Sequence, residues 1–329
     1  MRVLVCGGAG YIGSNMTAML NSEGHEPVIY DNLSKGHRTT IGQTKFVEGD
    51  LDDYKSIVET LKKYDIEAVM HFAAFIEVGE SVQKPLKYYR NNLSCTQNLL
   101  SAMEAVGVEK FVFSSTAAVY GMPESIDGGI SEDCPTEPIN PYGQTKLAVE
   151  RMCSYQSRAE KLRYASLRYF NACGAGNKAT IGEDHRPESH LIPLTIQAAM
   201  GKREDIKIFG TDYDTPDGTC IRDYIHVDDL CRAHLLVLKK LDQSRELIYN
   251  LGNGNGFSVR EVIETVKQVS GKDFKVVTTE PRPGDAPILT SDATKAKREL
   301  GWEPKCRELD KIVETAWRWH SEHREGYDD

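Results

Sequence analysis

The chain has 329 residues, 40% of them hydrophobic and 27% charged, enough for one large domain or two unequal ones with an ample core. Its net charge is −9, with no basic run to make a nucleic-acid surface, and no apolar stretch approaches the length of a membrane span. The eight cysteines show neither C-x-x-C nor zinc-finger spacing, so we expect reduced thiols in a cytoplasmic protein, no disulfide framework and no metal site. A strand pattern begins at Arg2, and no targeting segment is expected.

Arg2 to Cys6 reads as a buried strand, and Gly7, Gly10 and Gly13 then lead into an apolar-periodic helix through Ser22. This G-x-x-G-x-x-G is a spaced variant of the dinucleotide fingerprint. Its glycines permit a tight turn, close approach of a pyrophosphate and close helix–strand packing. Tyr11 and Ile12 lie at the helix N-terminus that would face the anion. A second strand, Pro27 to Tyr30, ends in Asp31, 18 residues past Gly13 and near the spacing at which an acid grips the adenosine ribose. A carboxylate there accepts from ribose hydroxyls and repels a 2′-phosphate, so NAD is expected rather than NADP.

The alternation continues. Lys45 to Glu48 is a short strand ending near Asp50 and Leu51, where Asp50 would meet the adenine edge, and Asp52 or Asp53 opens a helix to Lys63. Ala68 to His71 is the next strand. The small residues after it, in Phe72-Ala73-Ala74, let a cofactor lie against backbone, while His71 is read as a packed residue. A long helical pattern covers Pro85 to Ala105. Lys110 to Phe113 is a strand opening into the hydroxyl cluster Ser114-Ser115-Thr116.

Asn140-Pro141 has the form of a helix start, a cap followed by proline at the first helical position. That start puts Tyr142 and Lys146 on one face. A fixed ammonium beside the phenol favours the phenolate, which makes Tyr142 a candidate base near neutrality. With 15 tyrosines in the chain, about one such pair is expected by chance, so the neighbouring segments decide its meaning.

After Asn171 the alternation loosens, and a smaller domain is placed there. Residues 172–188 read as a loop, Leu191 to Gly201 as a short helix and Ile206 to Gly210 as a strand. The backbone of that strand and Phe209 would clasp a flat base or else pack in the core. Asp228 is expected to cap a helix through Lys240, Ser258 another to Ser270, and Leu309 to Trp319 a closing amphipathic helix whose tryptophans pack.

The glycine turn, the strand ending in Asp31, the Ser/Thr cluster and Tyr142-x-x-x-Lys146 recur in this order in the extended short-chain dehydrogenases/reductases. Over nearly its whole length the chain resembles the UDP-glucose 4-epimerase family within that group. The segments that carry the likeness are Val78 to Pro85, Leu167 to Asn171, Arg222 to Val227 and Tyr249 to Gly252. The resemblance implies an α/β fold with a doubly wound, mainly parallel Rossmann-type sheet. Residues 1–171 would bind NAD, with about 222–251 returning to that domain, and 172–329 would form a discontinuous α/β domain for the UDP-sugar. It implies NAD-mediated oxidation and reduction at sugar C4, with Tyr142, Lys146 and Thr116 as the catalytic residues. Asn32, Leu51, Asn91, Ser114 and Phe170 join the expected cofactor contacts. On the substrate side it implies Asn171, His190, Leu191, Lys207, Ile208 and Phe209, with Arg222 and Arg282 for the diphosphate and Asp285, in the turn 282–285, for the uridine ribose.

Further expectations follow from the same resemblance. Sugar-nucleotide 4,6-dehydratases carry an Asp-Glu pair where this chain has Ala117-Ala118, which favours epimerisation over elimination. Ile76 falls where some members have a lysine for the cofactor phosphates, so no ionic contact is assigned to it. Leu289 falls where the family sets room around the sugar's C2 substituent, which predicts UDP-glucose and UDP-galactose as the main pair with weaker use of N-acetylated sugars. The helices near 85–105 and 142–159 are expected to pair with a second subunit in a homodimer. Neither nucleic acid nor membrane is expected as a partner.

Overall fold

Runs of four to seven mostly buried residues, rich in Val, Ile, Phe and Tyr, alternate with amphipathic helices through the first half of the chain, and they do what such runs must: pair in parallel with both faces covered. The computed structural model describes residues 1–123, 128–282 and 284–328, so Pro283 of the expected 282–285 turn lies outside the described residues. In order come β1 (Arg2–Cys6), α1 (Tyr11–Ser22), β2 (Glu26–Asp31), β3 (Lys45–Glu48), α2 (Tyr54–Lys63), β4 (Ala68–His71), α3 (Val78–Gln83), α4 (Pro85–Tyr88), α5 (Cys95–Val106), β5 (Lys110–Ser114), α6 (Pro141–Ala159) and β6 (Arg163–Tyr169). Then follow β7 (Asn171–Cys173), α7 (Gly176–Ala179), α8 (Leu191–Ala199), β8 (Asp205–Phe209), β9 (Ile221–His226), α9 (Val227–Lys240), β10 (Glu246–Leu251) and β11 (Gly256–Ser258). The chain ends with α10 (Val259–Ser270), β12 (Lys275–Thr279), β13 (Ile288–Leu289), α11 (Thr294–Leu300) and α12 (Leu309–Glu322).

Seven strands form one parallel sheet in the order β10-β6-β5-β4-β1-β2-β3. The chain winds outward in both directions from the β1/β4 pair, so a crevice opens beyond the carboxyl ends of those strands, where such sheets take their ligands. Met16 and Leu20 of α1 and Leu230, Leu235 and Leu238 of α9 cover one face. Ile57 and Leu61 of α2, Leu99 and Met103 of α5, and Val149 and Cys153 of α6 cover the other. The expected doubly wound sheet is present.

A smaller sheet joins β7, β11 and β13 to β9, and β8 pairs with β12 beside it. Here one expected boundary shifts. Residues 221–226 stay in the small sheet as β9; only from Val227 onward does the chain return, as α9 and β10, to the large one. Trp302, following α11, also packs into the large core, and its indole N–H donates to the Asp229 carbonyl at 2.9 Å. A helix cap shifts too. Nδ1 of His226, not the Asp228 carboxylate, provides the cap, accepting the Asp228 N–H at 3.1 Å, because the helix begins two residues earlier, directly on the strand's end. Asp228 instead sits in the first turn, where a carboxylate still suits the helix dipole. Ser258 caps α10 as expected, in a reciprocal capping box with Glu261.

The glycine turn is fixed by space as well as by conformation. Gly7 has φ +76°, and a Cβ on Gly13 would stand 2.0 Å from the Gly7 carbonyl oxygen. Neither backbone segment can yield without moving the turn off the sheet. Gly13→Ala is therefore expected to destabilise by roughly 1–3 kcal/mol, as overpacking does, read as a drop in the urea midpoint. An unchanged midpoint would show the turn to be pliable.

Candidate active site

The crevice over β1, β4 and β5 is a cavity of about 990 Å³ running from the large sheet into the small domain. Its floor is the glycine turn. A Cβ on Gly7 would lie 2.5 Å from the Ala73 nitrogen, whereas one on Gly10 would meet nothing nearer than the Gly7 oxygen at 3.5 Å. Gly7 and Gly13 are thus needed by the protein's own packing, and the bare face of Gly10 is left to the cavity, beside Tyr11 and Ile12 at the start of α1. Asp31 closes this end. Its Oδ2 accepts the Ala9 N–H at 3.0 Å and its Oδ1 the Leu33 N–H at 2.8 Å, which fixes the carboxylate at the strand's end. Burial nonetheless pushes its pKa up, the two amides opposing. Asn32 donates to Asp50 at 2.8 Å, placing both beside Leu51 on the same rim. A bare glycine face at a helix N-terminus with an anchored acid one strand away fits a dinucleotide.

Phe72, Ala73 and Ala74 form the wall after β4, as expected. His71 is buried behind them, hydrogen-bonded to the Thr96 hydroxyl at 2.8 Å, and burial lowers its pKa to about 3. It packs and stays neutral. The expected Pro85 to Ala105 helix is interrupted by a π turn at Tyr89–Ser94. The extra residue in that turn brings Asn91 to the cavity, while Asn92 locks the loop after β4 by accepting the Phe75 N–H at 2.9 Å and donating to the Phe75 carbonyl at 3.0 Å.

Tyr142 and Lys146 share one face of α6, whose start is capped by the Asn140 side chain accepting the Gly143 N–H at 2.9 Å. The Lys146 ammonium donates to the Ser114 carbonyl at 2.7 Å, 6.0 Å from the centre of the Tyr142 ring. The Thr116 hydroxyl lies near enough to Tyr142 to draw the phenol's pKa down. The electrostatics differ from the sequence-based expectation. Burial raises the Tyr142 pKa, with only the Thr116 hydrogen bond opposing it, and burial lowers Lys146 to about 7 against the pull of Glu150. Desolvation thus works against the phenolate that a neighbouring ammonium would favour.

Behind this triad lies a closed polar network. Arg168 donates from Nε and Nη2 to the Glu150 carboxylate at 3.0 and 2.6 Å, and Ser115 donates to the same carboxylate at 2.5 Å. Nη1 of Arg168 donates to the Tyr120 oxygen at 2.9 Å, and Tyr120 in turn to Asn250 at 2.7 Å. Every member is buried. It ties α6, the Ser/Thr turn, β6 and β10 together beneath Tyr142.

On the far side, Phe170, Asn171, His190, Arg222, Arg282, Asp285 and Leu289 all line the cavity. Asn171 donates to the Asp223 carbonyl at 2.9 Å, and Arg222 and Asp285 form an ion pair. Four expected substrate residues do not line it. Ile208 is packed in the small-domain core with Ala198, Ile206 and Ile263, because strand alternation turns it inward. Lys207, one residue earlier, faces solvent, and Leu191 packs against the same core. Phe209 contributes only through Arg282, whose guanidinium lies over its ring at 3.8 Å.

Other lining residues escaped the sequence reading: Lys35, Glu77, Tyr169 and His185. Lys35 pairs with Glu77 at 2.9 Å next to Ile76, and Tyr169 shares a hydrogen bond with Ser114. Tyr169 lies in a segment that carries the family likeness but with no role attached to it; the other three come from loops with no local motif, so only the fold reveals them.

A family model described as the NAD dependent epimerase/dehydratase family matches residues 3–252. Among curated proteins, a UDP-glucose 4-epimerase of Halalkalibacterium halodurans is 49% identical over 330 aligned positions, covering 99% of this chain and 98% of that one. A crystal structure of a UDP-glucose 4-epimerase superimposes with a TM-score of 0.97 at 48% identity, each chain covered completely. A Stenotrophomonas maltophila UDP-glucose-4-epimerase, solved with bound NAD and formylated UDP-arabinopyranose, gives 0.95 at 38% identity, with 99% of this chain and 100% of that one covered.

Proposed function

Because this chain belongs to the NAD dependent epimerase/dehydratase family, we propose that it is an NAD-dependent epimerase that interconverts UDP-glucose and UDP-galactose at sugar C4. The observation that carries this reading is that Tyr142, Lys146 and Thr116 face the same cavity as the glycine turn, with Ala117 and Ala118 beside them. No carboxylate stands at 117 or 118 to drive the elimination of water. NAD, when bound, supplies a hydride acceptor for C4 and a fixed positive ring beside the phenol. Tyr142 takes the proton of the 4-hydroxyl and later returns one to the keto oxygen. Thr116 bridges the phenol and the sugar oxygen, holding the proton's path at one atom. Lys146, anchored on the Ser114 carbonyl, orients the nicotinamide ribose.

Gly7, Gly10, Tyr11, Ile12 and Gly13 cradle the cofactor pyrophosphate, and Asp31, with Asn32, takes the adenosine ribose. Asp50 and Leu51 border the adenine; the wall from Phe72 to Ala74, with Asn91, Ser114 and Phe170, bounds the nicotinamide half. Residues 1–171 with 227–251 form this cofactor domain, and the remainder holds the UDP-sugar. Arg222 and Arg282 bind the diphosphate with His190, Asp285 takes the uridine ribose, and Asn171 borders the sugar. Conversion of UDP-galactose to UDP-glucose by protein given no added NAD tests the reading. Folded protein that makes no UDP-glucose, with or without NAD supplied, would reject it.

Leu289 bounds the sugar end, held at the cavity wall by pairing between β13 and β9. It is smaller than tyrosine and larger than serine, so weak but measurable turnover of UDP-GlcNAc is expected alongside UDP-glucose. Leu289→Tyr should lower kcat/KM for the N-acetylated sugar by about 5- to 150-fold relative to UDP-galactose, the equivalent of roughly 1–3 kcal/mol of overlap. Unchanged discrimination would remove Leu289 as the gate.

The protein acts as a homodimer in the cytoplasm. Leu86 on α4 and Tyr155 on α6, in the segments expected to pair, are 81% and 71% exposed, and Val82 on the neighbouring α3 is 61% exposed. All eight cysteines are free thiols, which suits a reducing compartment. Sedimentation should give twice the chain mass, and Leu86→Asp should halve it; a monomeric wild type would contradict the dimer.

A further inference from the structure

Between β7 and α8, the segment Glu183-Asp184-His185-Arg186-Pro187-Glu188-Ser189-His190 turns four ligand-type side chains toward one point. One donor atom from each of Glu183, His185, Glu188 and His190 lies within 4.8 Å of all the others. Nδ1 of His190 is 2.5 Å and Nδ1 of His185 3.1 Å from Oε1 of Glu183; the same nitrogens are 3.7 and 3.8 Å from Oε1 of Glu188. Four ligands around a tetrahedral zinc ion, bonded at about 2.0–2.2 Å, stand about 3.3–3.5 Å from one another. The observed separations bracket that value.

Two features separate this cluster from an ordinary surface group. Both carboxylates have side chains only 4% exposed, yet no lysine or arginine pairs with either among the described residues. Asp184, between them, turns away to Arg186 and the Tyr327 amide, at 3.0 and 3.1 Å. Oε1 of Glu188 accepts the Ser189 and His190 amides at 2.7 and 2.8 Å, but among the described residues the charge of the two carboxylates faces only the two imidazoles, which are cations only when protonated. In addition, Nδ1 of His185 is buried and points into the group, 3.1 Å from Oε1 of Glu183 yet without the alignment of a hydrogen bond to it. A nitrogen lone pair there, beside a second imidazole nitrogen and two carboxylate oxygens, is a mixed N/O donor set that zinc accepts.

We propose that Glu183, His185, Glu188 and His190 bind one divalent cation of the zinc class through His185 Nδ1, His190 Nδ1 and one oxygen of each glutamate. The cation is structural. It closes an eight-residue loop whose His185 ring meets Tyr11, centroids 6.3 Å apart, and whose His190 sits directly before α8. The loop thus links the start of α1 in the large domain to the small domain. The absence of zinc-spaced cysteines in the sequence gave no warning of it, since none of these ligands is a thiol.

Full-length protein purified without chelator or affinity tag should carry one equivalent of zinc per chain by mass spectrometry of the metal. After chelation, added Co²⁺ should produce a visible ligand-field band, and the melting temperature should fall on chelation and recover with Zn²⁺. His185→Gln and, separately, Glu188→Gln should lose the metal, the cobalt band and the chelator-dependent melting shift. Folded wild-type protein with no stoichiometric zinc and no cobalt band would overturn the site and identify the cluster as imidazolium–carboxylate pairs; metal retained in both variants would also overturn it. Every readout is independent of turnover, so failure here leaves the proposed epimerase activity standing.

Discussion

Tyr142→Phe is expected to lower kcat by about 10²–10⁴-fold, the usual contribution of a positioned acid–base group, with little change in folding or nucleotide binding. The variant keeps the ring and loses only the oxygen that Thr116 meets. Burial holds the Tyr142 phenol above its ordinary pKa and lowers that of Lys146 to about 7, so desolvation opposes the phenolate that the lysine would favour. Lys146→Met should therefore act mainly by misplacing the cofactor ribose. A fall in activity with weakened NAD retention is expected, where Tyr142→Phe retains NAD fully. Near wild-type turnover in Tyr142→Phe would remove Tyr142 as the base.

The second large effect is on stability. Glu150→Ala strips the buried Arg168 of a carboxylate that accepts from both its Nε and Nη2. An unpaired buried guanidinium typically costs about 3–5 kcal/mol, a large part of a domain's total stability. Chemical denaturation should show that loss, and Glu150→Leu with Arg168→Met should recover much of it, because removing both charges leaves no buried ion unpaired, only the Ser115 hydroxyl without its acceptor. A loss under about 1 kcal/mol in the single variant would mean that water enters and the network is not closed.

What the sequence revealed was what neighbours along the chain determine. Gly7, Gly10 and Gly13 could be read because a strand–turn–helix has little freedom over seven residues, and Asp31 because one more strand places it. Tyr142 and Lys146 needed only a helix start. The errors lie where geometry depends on distant segments. The π turn at Tyr89–Ser94 is invisible to a 3.6-residue period, yet it sets Asn91 at the cavity. His226 displaces Asp228 as a cap because the strand runs straight into the helix. Ile208 and Lys207 were assigned to the substrate side by position in a strand, but alternation sends one into the core and the other to solvent. The depth of burial around Tyr142 is hidden from the sequence in the same way. Sequence spacing gives the Lys146 neighbour but not the depth of burial, and burial outweighs it. Lys35 and His185 belong to no local pattern at all.

The central proposal is that hydrogen leaves sugar C4 and returns to the same carbon within one molecule. UDP-galactose carrying deuterium at C4 tests it directly. With wild-type protein in ordinary water, the UDP-glucose formed should retain its deuterium at C4, since the hydrogen never exchanges with solvent. Product with hydrogen from water at C4 would show that C4 is inverted by proton abstraction instead, and would contradict the mechanism.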